Sequence, residues 1–150
     1  MPDDQRLLER FERLKHLLTQ SGLHYFADPE KKVCLIRFGD LDSTDYDTIF
    51  VTLQGSDDDI IVATLTLLDG EKGYHYTIKI LEECMKFNKK VGLLKTQFDE
   101  RYGDIDLSYE TWLATLPENL AVGIHLLAGR GNELAKKIKK MLSEENQSNK

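Results

Sequence analysis

No apolar run in the chain approaches the roughly 20 residues that a membrane-spanning helix needs. The opening Met1-Pro2-Asp3-Asp4-Gln5-Arg6 passes straight into an amphipathic pattern without a signal-peptide core. The expected location is therefore the cytoplasm, with no membrane partner. Cysteine is scarce: Cys34 and Cys84 lack CxxC spacing and sit in apolar or amphipathic segments, so both read as reduced core residues. Positive charge is also short, and a formal net charge of -6 works against broad nucleic-acid binding, which draws its affinity from neutralised phosphates.

Motifs that carry chemistry are missing as well. His16, His24, His75 and His125 are scattered, with no HxxxH or HExxH pair to set two imidazoles on one helical face. No serine lies in a GxSxG context, and neither cysteine has a nucleophile's setting. Gly129-Arg130-Gly131 looks like part of a dinucleotide loop, but it lies inside a helical pattern, follows no strand, and has Leu134 where the third glycine belongs. The loop Asp40-x-Asp42-x-x-Asp45-x-Asp47 offers carboxylates to a hard cation, yet it has no DxDxDG run and ends on Val51 where an EF-hand needs glutamate. It reads as a solvated loop. No catalytic residue, cofactor or metal is expected, and the chain reads as a non-enzyme.

What is present is an ordinary globular composition, 41% hydrophobic and 31% charged, in a chain of 150 residues. A single domain of that size buries roughly 70% of the surface its unfolded form exposes, so it needs no disulfide or metal staple. The clearest pattern runs from Asp104 to Leu113. Ile105, Leu107, Tyr109, Thr111 and Leu113 alternate with Asp104, Asp106, Ser108, Glu110 and Trp112, so the first set belongs on a helix-covered face and Asp106 and Glu110 in water. Leu94 to Phe98 has strand composition, and the polar turn between the two contains Gly103, which can take a positive φ. Together they make an antiparallel hairpin.

Upstream, Leu7, Phe11, Leu14 and Leu18 recur at helical spacing, and the pattern predicts a helix over 4–21 ending at Gly22. Strands are expected at Leu23 to Ala27, Val33 to Phe38, Thr48 to Gln54 and Ile60 to Leu68, with Asp28-Pro29-Glu30-Lys31 and Gly55 to Asp59 as turns. Ile60 to Leu68 is apolar or threonine-rich throughout, which predicts a central strand covered on both faces.

Tyr74 to Asn88 carries a conflict, because Tyr74 to Ile80 favours strand and Leu81 to Asn88 favours helix. Spacing predicts a helix with two apolar rows: Tyr74, Ile78, Leu81 and Met85 in one, Ile80, Cys84 and Phe87 in the other. A face that wide touches more than one surface, either the sheet plus another helix or the sheet plus a second subunit. The closing helix starts with Thr115 and Glu118 at capping-box spacing and Pro117 in the first turn. Its stripe is Leu120, Ile124, Leu127, Gly131, Leu134, Ile138 and Met141, with lysines 136, 137, 139 and 140 turned away. At Gly129 and Gly131 it either breaks or meets a neighbouring backbone. One domain over 1–142 and a polar, disordered tail over 143–150 complete the expectation: an α+β fold in the order α-β-β-β-β-α-β-β-α, with one antiparallel sheet of five to six strands.

This order, and the stretch ILEECMKFNKKVGLLKTQFDERYGDIDLSYETWL, resemble the YbjN family, whose fold is similar to that of type III secretion chaperones. The match is a helix ending in asparagine, a strand, an acidic-glycine turn and an amphipathic strand, followed by Leu116-Pro117 to Leu127 as the start of the closing helix. It covers about residues 70 to 142 in motif and the N-terminal half in element order. Asn88, Phe98, Gly103 and Leu107 carry it, and these are structural positions. The strand-like Tyr74 to Ile80 and the glycine pair depart from it. Chaperones of this fold are homodimers that hold extended partner segments in apolar grooves and dimerise through a comparable helix. The resemblance thus implies a protein partner, a homodimer, and an interface at Tyr74, Ile78, Leu81 and Met85, without implying a secretion client. Those side chains have an equal alternative inside one subunit. The rival functional classes are a small-ligand protein or enzyme with an unrecognised pocket, and a purely structural subunit.

Overall fold

Alternation lays out the sheet. The computed structural model describes residues 2–38, 47–70, 73 and 75–148. Along them run α1 (Pro2–Gln20), β1 (Phe26–Asp28), β2 (Val33–Phe38), β3 (Asp47–Gln54), β4 (Ile60–Leu68), α2 (Ile78–Lys90), β5 (Leu94–Asp99), β6 (Asp104–Trp112) and α3 (Pro117–Ser148). The fold is α+β, and its six strands form one sheet in the order β1-β2-β3-β4-β6-β5, every neighbour antiparallel. Register explains the core. Cys34, Val51, Ala63, Tyr109 and Leu94 sit opposite one another across five strands, and all are buried.

The helices take that same face. Gly131 of α3 lies against Leu65 and Leu107, and Gly123 against the Tyr109 ring. Thr96 Oγ1 of β5 donates to the Cys84 carbonyl of α2 at 3.4 Å. Lys32, beside β2, carries its ammonium over the Phe11 ring of α1. Ile105, Leu107, Tyr109 and Leu113 are buried and Glu110 is exposed, as the alternation predicts. Asp106 differs in being half-buried, and that burial holds its carboxyl above the usual range against a hydrogen bond to Thr66.

Several boundaries move. Leu23 is buried with the core and Tyr25 donates its hydroxyl to Lys15 O at 3.1 Å, so β1 begins only at Phe26. Helix α1 closes at Gly22, whose φ is +75°, with Leu23 N donating to Leu18 O and Gly22 N to Thr19 O in the bonding of a Schellman motif. In α3, Asn119 N and Leu120 N both reach Leu116 O, which makes Pro117 the first helical residue and puts the expected Thr115 capping box one residue out of register. The same helix passes unbroken through Gly129 and Gly131. It also continues past Leu142 to Ser148, where composition suggested a tail.

β4 is central, but the second covering layer expected over it is absent among the described residues. On the face away from the helices Val62 is only 6% exposed because Thr52 and Glu110 flank it on the neighbouring strands. Lateral neighbours do there what a helix was expected to do.

Candidate functional site

Helix α2 begins where its sequence changes preference. Thr77, extended at φ -119° and ψ 168°, accepts a bond from Ile80 N on its side-chain oxygen at 3.3 Å and caps the helix. Among the described residues, His75 and Tyr76 of the strand-favouring stretch therefore stay outside the helix, which starts at Ile78. At the other end Asn88 Oδ1 accepts from both Thr96 N, at 2.7 Å, and Thr96 Oγ1, at 3.0 Å. α2 is thereby fastened along β5, one of the two edge strands of the sheet.

Of the two apolar rows, one is used fully inside the subunit and the other only through Leu81, which packs partly against the core. Ile80 and Cys84 are buried and Phe87 packs partly against the core. In the other row Leu81 is half-buried, while Ile78 is 75% exposed and Met85 71%. Ile78, Leu81 and Met85 recur at three and four residues and so form one stripe along the helix. Tyr74, the fourth predicted interface residue, lies outside the described residues. Just before the helix, Tyr76 is also exposed, and its ring meets that of Phe98 of β5 edge-on at 4.9 Å between centroids.

A second apolar surface escaped the sequence reading. On the open face of the sheet Phe26, Leu35 and Phe50 are directly opposed across β1, β2 and β3, and Trp112 opposes Ile60. Phe26 and Trp112 are 66% and 64% exposed. The apolar content on both sides of β4 was the available signal, misread as cover.

The chemistry of the remaining candidates is quiet. Burial pushes the Cys34 thiol up to about 11, with the Lys15 cation pulling weakly the other way, and burial likewise raises the Cys84 thiol. Neither is poised as a nucleophile. Among the described residues no group of three or more His, Cys, Asp or Glu could hold a metal ion; the Asp40 to Asp45 carboxylates lie outside them. No described helix is long and apolar enough to cross a membrane.

With this geometry in view, the comparisons concern fold alone. No family model and no curated protein matches the sequence. Among solved structures, the chain is similar to the Yersinia pestis type III secretion chaperone SycH, crystallised in complex with a stable fragment of YscM2. The TM-score is 0.54 at 14% identity, over 83% of this chain and 98% of that one. The fold is type III secretion chaperone-like.

Proposed function

We propose that this chain is a non-enzymatic, chaperone-like binding protein of the YbjN type, built as one domain that includes all of α3 and acting in the cytoplasm. It pairs with a second copy of itself through the outer stripe of α2 and holds a segment of a partner protein on an apolar surface. The observation that carries the reading is the exposure of Ile78 and Met85 on one side of a helix whose other apolar row already fills the core. Fully burying a side chain of this size is worth about 1.5–3 kcal/mol, so a two-fold contact that uses each residue twice has a driving force in proportion. The exposed Tyr76 and Phe98 rings offer further apolar area toward the roughly 1,200 to 2,000 Å² that a stable interface removes in total. The chaperone of similar fold, crystallised with a fragment of another protein, supports the partner-holding part of the reading.

The test uses Ile78→Asp and Met85→Asp, each placing a carboxylate where an apolar contact is proposed. Both positions are exposed in the single subunit, so each variant is expected to keep its circular dichroism and lose self-association. Cross-linked dimer at wild-type yield in both variants would contradict the assignment.

A further inference from the structure

The cleft between α2 and α3 carries a charge opposite to that of the chain. Glu83, Lys86, Phe87 and Lys90 on α2, and Arg130, Glu133, Leu134 and Lys137 on α3, follow the same i, i+3, i+4, i+7 spacing, so each helix turns one stripe toward the cleft. The recess holds about 210 Å³. Its floor is apolar, made by buried Leu134 with the half-buried Phe87 and Val91.

The rim is cationic. Glu83 is shared by Lys137 at 2.8 Å and Lys86 at 3.7 Å, and the Lys137 bond holds its carboxyl below the usual range. Glu133 meets Arg130 at 3.4 Å. Both carboxylates are thus answered, while Lys90 has no ion-pair partner among the described residues. Four cations against two carboxylates leave a positive surplus in a protein whose formal net charge is -6.

We propose that this cleft docks an acidic amphipathic segment of a partner protein, apolar side chains against Phe87, Val91 and Leu134 and carboxylates toward Lys86, Lys90 and Arg130. A phosphate backbone suits it poorly, because it would face Glu83 and Glu133 and leave the apolar floor without a partner. Helical periodicity puts the cleft stripe and the Ile78–Met85 stripe on roughly opposite sides of α2, so docking does not compete with pairing. The proposal rests on the protein-binding reading for its class of ligand and on none of its dimer geometry.

The probe is a fluorescein-labelled 16-residue helical peptide with leucine along one face and glutamate elsewhere. Its controls are the same peptide with lysine for every glutamate and a 20-nucleotide single-stranded DNA. The acidic peptide is expected to raise anisotropy saturably at micromolar protein, weakening with added salt. Lys90→Glu combined with Arg130→Glu, both exposed, is expected to weaken it by about tenfold or more with unchanged circular dichroism. Ile78→Asp is expected to bind as wild type does, which separates failure of the cleft from failure of the dimer. No binding of the acidic peptide, equal binding of the lysine peptide, tighter binding of the DNA, or unchanged affinity in the double variant would each overturn the proposal.

Discussion

The ring of Tyr109 on β6 occupies the space that a side chain at position 123 of α3 would need: a Cβ on Gly123 would lie 2.2 Å from the tyrosine Cζ. Eight residues along the same face, Gly131 stands in the same relation to the Leu65 methyl, also at 2.2 Å. These two glycines let α3 settle onto β4 and β6. Gly123→Ala gains about 1 kcal/mol of helix propensity but forces a flat ring or the helix itself to move, an overpacking that costs about 1–3 kcal/mol. A net loss of stability in urea unfolding is expected. The loss should be smaller for Gly131→Ala, since the end of a leucine side chain yields more readily than an aromatic ring.

Gly129 has the opposite expectation. It lies in the exposed interior of the same helix, and nothing would stand within 4 Å of an added Cβ. Gly129→Ala should stabilise by about 0.5–1 kcal/mol, read as a higher urea midpoint at unchanged slope.

This contrast shows what was legible in the chain. The Leu120 to Met141 stripe marked Gly131 as facing the core from spacing alone, yet whether a break, a backbone or a side chain met it depended on Leu65, which is remote in sequence. The Asp104 to Leu113 alternation was read correctly for Ile105, Leu107, Tyr109 and Leu113, because period-two patterning reports which side is buried, but Asp106 is half-buried and Ser108 fully buried on the side expected to be wet. Such patterning does not report what covers a side, so β4 looked doubly covered when only its neighbours shield Val62. The start of α2 was missed because Thr77 caps a helix in a stretch of strand-favouring residues. The cationic cleft could not be seen at all, since it needs two stripes from helices that only the fold brings together.

Buried Cys34 supplies a chemical prediction. Its thiol is raised to about 11 in the folded chain, above its ordinary value of 9.0, so the neutral form is favoured by folding. Its contribution to stability is fully present below the unfolded value and is lost as pH rises from about 9 through 11, where only the unfolded chain ionises readily. Native protein at pH 8 is expected to react slowly with a disulfide reagent at both Cys34 and Cys84, and urea-unfolded protein to react at once at two thiols. Rapid native labelling would contradict the burial.

The central claim is that the outer stripe of α2 is a self-association surface, and sedimentation equilibrium at micromolar concentration tests it most directly. The account predicts a species of twice the 17.3 kDa chain mass that falls to the single-chain mass in Ile78→Asp. A wild-type protein that sediments as one 17.3 kDa chain, or an Ile78→Asp variant whose mass stays doubled, would contradict it.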